Sequence, residues 1–146
     1  MQILVACDHG ALDLKNHLVA WMRDRPDVKV QDLGVHTLDS VDYPDLAGRL
    51  CRAILAGDGE RGILLCGTGL GMSMAANRFT GVRAALCHDE YGARMARRHN
   101  DANVLVLGGR VTGLAVAQGI VDVWLTEPFE GARHQQRLEK MDQLTL

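Results

Sequence analysis

Short apolar runs alternate with longer amphipathic stretches along this chain. Residues 2–6 (Gln-Ile-Leu-Val-Ala) read as a buried first strand. Residues 11–24 carry Leu12, Leu14, Leu18, Val19 and Met22 near helical spacing, with Lys15, Asn16, Arg23 and Asp24 assigned outward, and Pro26 ends that helix. Residues 28–33 alternate as a strand closed by Gly34, and a polar loop runs from Val35 to Asp42. Tyr43-Pro44 opens a helix bearing Leu46, Ala47, Leu50, Ile54 and Leu55, stopped by Gly57 and Gly59. The run from Arg61 to Cys66 is a strand, and Met72 to Asn77 reads as helix. Val82 to Leu86 is expected as another buried strand, and 89–98 as a helix with Asp89 at its N-cap. A last strand covers 104–107, an amphipathic helix 114–125, and a tail helix runs from about Gly131 to Asp142. Strands alternating with helices predict an α/β fold with a parallel sheet covered on both faces.

Composition narrows the function. The 146 residues suit one domain, 1–146, and 47% hydrophobic content supplies a core. A net charge of -2 with mixed signs gives no pull toward nucleic acid or an anionic membrane, and 4% aromatics leave few platforms for stacking bases. No apolar run has the ~20 residues of a membrane span. The opening Met1-Gln2-Ile3-Leu4-Val5 has no charged stretch ahead of an apolar core, so no signal segment is expected. Cys7, Cys51, Cys66 and Cys87 show neither C-x-x-C pairing nor metal-ligand spacing, which predicts reduced thiols, a cytoplasmic protein and no metal.

The most informative segment is Cys66-Gly67-Thr68-Gly69-Leu70-Gly71. A thiol at the carboxyl end of a strand enters a glycine loop and then a helix, the place where parallel α/β sheets bind ligands. Glycines let the backbone turn tightly and bring N–H groups close to an anion, and a helix start favours a thiolate or oxyanion. The plainer alternative is a tight turn after a core cysteine. The loop lacks the lysine of a Walker A motif, and Asp8-His9-Gly10-Ala11 is no dinucleotide fingerprint. A C-x₅-R phosphatase loop fails because Met72 stands where the arginine is needed.

Three other clusters carry candidate chemistry. Asp8 and His9 in the first strand-to-helix turn suit sugar hydroxyls and a phosphate, unless Asp8 only caps the helix. His99-Asn100-Asp101-Ala102-Asn103 offers His99 as an acid/base group, against an ordinary Asn/Asp turn. Arg133 and Arg137, four apart, share a helical face that fits a phosphate dianion, against a solvated basic face.

The ordered set Cys7-Asp8-His9, Asp42-Tyr43-Pro44, Cys66 to Gly71, Ala75-Ala76-Asn77, Arg83-Ala84, His99-Asn100-Asp101, Gly108-Gly109-Arg110 and Gly131 to Arg137 resembles the ribose-5-phosphate isomerase B family, which includes the galactose-6-phosphate isomerase subunits. The resemblance implies a Rossmann-like three-layer α/β/α sandwich with a five-stranded parallel sheet and a C-terminal helix at a dimer interface. It implies a homodimer or dimer of dimers that isomerises a sugar phosphate without a cofactor. The implied base is Cys66, with Thr68 and the amides of Gly67, Gly69, Leu70 and Gly71 holding an enediolate. His99 would assist ring opening with Asp8 nearby, and His99 and Asn100 would enter the partner's pocket. Tyr43 would line the sugar, His9, Arg133 and Arg137 would hold the phosphate, and Arg110 would assist from the partner. Ribose 5-phosphate is the expected substrate. A six-carbon phosphate (allose 6-phosphate or galactose 6-phosphate) and a non-catalytic phosphosugar- or nucleotide-binding module are the alternatives. The assignment requires the Cys66 sulfur to face a cavity that the tail arginines can reach.

Overall fold

A computed structural model describes residues 1–144 of the chain. Its strands are β1 (Gln2–Cys7), β2 (Lys29–Asp32), β3 (Arg61–Cys66), β4 (Ala84–Leu86) and β5 (Val104–Gly108), and its helices are α1 (Leu12–Arg23), α2 (Tyr43–Ala56), α3 (Leu70–Ala76), α4 (Glu90–Arg98), α5 (Leu114–Thr126) and α6 (Arg133–Asp142). The strands form one parallel sheet in the order β2-β1-β3-β5-β4. β1, β3 and β5 occupy its middle and are buried almost throughout, which is why they read as unbroken apolar runs.

The period-2 alternation of each strand divides the core into two layers. Ile3, Val5, Cys7, Ile63, Leu65, Leu105 and Leu107 face α1, α4 and α5. Leu4, Ala6, Leu64, Cys66, Val104 and Val106 face α2 and α3. The chain therefore forms the three-layer α/β/α sandwich expected from the sequence. Gly57 stops α2 in a left-handed turn with φ 85°, and Asp89 caps α4 by accepting the N–H of Gly92 at 2.6 Å. Among the described residues, no helix is long and apolar enough to cross a membrane.

Two expectations are corrected. Lys15 does not point outward: its side chain is 0% exposed. The ammonium donates to Asp32 Oδ2 at 2.6 Å and to the Val35 carbonyl at 2.9 Å, so a buried pair joins α1 to the end of β2. The strand predicted for 82–86 is shorter and only half buried. It lies at one edge of the sheet and covers Ala84–Leu86. Arg83, just ahead of it, gives its N–H to the Asn103 side chain.

Candidate active site

The chain runs from β1 out to β2 and then crosses back over β1 to β3. The carboxyl ends of β1 and β3 thus flank the switch point of the sheet, the place where parallel α/β sheets bind ligands. Cys66 ends β3 and is 6% exposed. The next residues turn so that the Gly69 N–H donates to Cys66 Sγ at 3.1 Å. Gly69 sits at φ 83°, and a Cβ there would come within 2.5 Å of the Leu86 side chain and 3.2 Å of the Leu107 carbonyl. Only glycine fits this turn.

The turn after β1 packs directly on this loop. A Cβ on Gly10 would lie 3.1 Å from the Gly67 nitrogen. Asp8 Oδ1 accepts the Gly10 N–H at 2.8 Å, so the capping role does hold for Asp8, while its position keeps it beside the loop. The Val41 N–H donates to His9 Nδ1 at 3.3 Å, which puts the proton of a neutral His9 on Nε2. The Tyr43 ring covers Gly71 so closely that a Cβ there would be 2.6 Å from it. Thr68 Oγ1 accepts the Leu70 N–H at 3.3 Å. Arg110 lies against Gly67, and its N–H donates to the Gly67 carbonyl at 2.9 Å. The arginine expected from a partner is therefore already at the loop of its own chain. A hollow of about 590 Å³ opens beside Tyr43, Gly71 and Met74.

The remaining predicted residues gather elsewhere. His99 ends α4, just before β5 begins at Val104, whereas Cys66 lies beside Gly108 at the other end of β5. Four residue steps of strand, about 13 Å, separate the two levels. The His99 ring stacks on His134, centroids 4.1 Å apart and 8° from parallel. Arg133 Nε lies 3.5 Å from His134 Nε2. The tail arginines thus accompany His99, and within one chain they are remote from Cys66. Asn100, also at this end, is exposed and accepts from Arg83 through its carbonyl. Arg97 is structural: it donates to the Ala102 carbonyl and pairs with Asp101.

Electrostatics separates the thiols and the histidines. Burial pushes Cys7, Cys51 and Cys87 up to about 11, so these thiols are neutral near pH 7. His134 is held below the usual imidazole range by burial first, then by His99, Arg133 and Arg137, with Glu130 opposing them. Glu130 escaped the sequence reading. It stands four positions ahead of His134 but outside α6, so no helical spacing marks it, and the two meet at 3.5 Å. The ligand atoms of His99, Glu130 and His134 lie within 4.8 Å of one another. Imidazole binds a metal in its ring plane, so two near-parallel stacked rings do not converge on one ion, and Arg133 adds positive charge.

The sequence profile described as Ribose/Galactose Isomerase matches residues 3–141. The chain belongs to this isomerase family. It is 46% identical over 138 residues to "Ribose-5-phosphate isomerase B" of Escherichia coli, covering 94% of this chain and 92% of the relative. It is 42% identical over 142 residues to "D-erythrulose-4-phosphate isomerase" of Pectobacterium atrosepticum, covering 97% and 93%. The solved structure of Clostridium thermocellum ribose-5-phosphate isomerase B superposes with a TM-score of 0.96 at 46% identity, covering 99% of this chain and 97% of that one. Membership in the family makes the chain a sugar-phosphate isomerase.

Proposed function

We propose that the chain interconverts ribose 5-phosphate and ribulose 5-phosphate through an enediolate, with Cys66 as the base. The observation that carries this reading is the thiol at the switch point of the sheet under the Gly69 N–H, in a chain similar along its length to a ribose-5-phosphate isomerase B. The Cys66 thiolate removes the proton from C2 of the open aldose. The electron pair moves onto the carbonyl oxygen, and the loop amides with Thr68 stabilise that charge; each such donor is worth about 3 kcal/mol when lost. The proton carried by sulfur then returns to C1, and the hydroxyl proton passes from O2 to O1. The reaction is redox-neutral and calls for no cofactor.

His99 assists ring opening, and Asp8 and Tyr43 border the sugar. The Nε2–H of His9 with Arg133 and Arg137 holds the phosphate, whose binding energy orients the reacting carbons. Because His99 and the tail arginines lie at the opposite end of β5 from Cys66, we assign them to the site of a second copy of the chain. Exposed Leu70 and Met74, one turn apart on α3 beside the Tyr43 hollow, supply apolar surface for that copy.

Cys66→Ala tests the base. Turnover of ribose 5-phosphate is expected to fall by several orders of magnitude while binding survives. Undiminished turnover would remove Cys66 from the role, and a protein that binds the sugar phosphate but never turns it over would be the non-catalytic module. Substrate length is tested by comparing kcat/KM for four-, five- and six-carbon phosphates. The five-carbon substrate is expected to lead, and the relative named for a four-carbon ketose phosphate makes that comparison necessary.

A further inference from the structure

The segment ahead of α6 is fastened to the end of α4 by more than the ring stack. The Glu130 N–H donates to the Arg98 carbonyl at 3.0 Å. The Glu127 carboxylate bridges Arg94 at 2.8 Å and Arg98 at 2.6 Å. Between these ties and α6, Gly131 and Ala132 take positive φ of 66° and 48°, which turns the chain so that His134 meets His99. The Glu130 carboxylate then faces both rings from one side. Its Oε2 is 3.5 Å from His134 Nε2 and 3.8 Å from His99 Nε2. His134 Nε2 accepts from Arg133 Nε, so it is the His99 contact that a small rotation of the carboxylate closes into a hydrogen bond.

His99 is half exposed and sits at a helix C-terminus, where an imidazole would otherwise sample several rotamers. His134 occupies one face of the ring and Glu130 its Nε2 edge. We propose that Glu130 is a positioning residue for His99, fastening the His99–His134 stack to the segment ahead of α6 so that the imidazole meets the sugar ring in one orientation. This rests on the isomerase reading above and adds to it a residue that touches neither the reacting carbons nor the phosphate. Loss of orientation alone can cost about 10- to 100-fold in rate.

The test separates ring opening from proton transfer. Ribulose 5-phosphate has no furanose ring, because its O5 carries the phosphate. Uptake of solvent deuterium at its C1 therefore reports the Cys66 step without ring opening. Glu130→Ala is expected to lower kcat for ribose 5-phosphate about tenfold or more, with KM within about twofold and deuterium uptake at the wild-type rate. Glu130→Gln, which keeps an acceptor oxygen, is expected to recover most of the loss. The His99 ring resonances in the Ala variant should lose the ring-current shift that stacking on His134 produces. Equal falls in both rates, no fall in either, or unchanged His99 resonances would overturn the proposal. A wild-type protein that neither turns over ribose 5-phosphate nor exchanges the C1 proton would instead overturn the isomerase reading, and that result is visible before any variant is made.

Discussion

The Gly69 N–H points at the sulfur of Cys66 from 3.1 Å, and only the left-handed turn at Gly69 puts it there. That bond fixes where the sulfur sits against the glycine loop. Gly69→Ala places a methyl against Leu86 and the Leu107 carbonyl and forces a side chain into the left-handed region, at about 1 to 2 kcal/mol for the backbone alone. The variant is expected to stay folded with a lowered Tm, and to lose kcat more than tenfold with less change in KM. Retention of full kcat would show that the Gly69 amide does not serve the sulfur.

The separation of Cys66 from His99 leads to a mixing experiment. On the proposed shared site, preparations of Cys66→Ala alone and of His99→Ala alone are each expected to be nearly inactive. After subunit exchange, a mixed pair holds one crevice with both groups intact, and activity should return to as much as a quarter of wild type. Exchange confirmed by mass spectrometry without recovered activity would mean that the two residues do not serve a common site.

The Lys15–Asp32 pair predicts a stability effect with a loop effect behind it. Lys15→Met strands Asp32 with its side chain only 14% exposed, and breaking a buried pair costs about 3 to 5 kcal/mol. The same change frees the Val35 carbonyl at the head of the loop that reaches His9 through Val41. Denaturant melts should show the stability loss, and KM for the sugar phosphate should rise. Lys15→Met combined with Asp32→Leu should recover part of the stability.

His134 makes stability fall on the acid side. Its folded form takes up a proton less readily than the unfolded chain, whose imidazole titrates near 6.5. The contribution is therefore complete above about pH 6.5 and is lost as the pH drops below it. Between pH 7 and pH 5, wild type should lose more unfolding free energy than His134→Gln. Parallel curves for the two proteins would refute this.

The central strands were legible because burial on both faces leaves an apolar run that needs no partner to interpret. The loop from Cys66 to Gly71 was legible for a similar reason, since its glycines answer to local backbone demands. Lys15 was not, because its burial depends on Asp32, seventeen positions on, meeting it across two elements. The length of β4 was hidden because Val82 and Leu86 look equally apolar whether or not a ladder includes them. Glu130 was invisible for the same reason as Lys15: its significance comes from His99, far from it in the chain at the end of α4. The placement of Arg133 and Arg137 beside His99 rather than beside Cys66 is a property of topology, and one-dimensional spacing carries no trace of it.

The outermost strands, β2 and β4, span four and three residues, shorter than any strand between them. So short a margin offers little template for backbone pairing with a neighbour. On the proposed shared site, a second copy would then dock through side chains, a bond that can open and re-form without unravelling the sheet.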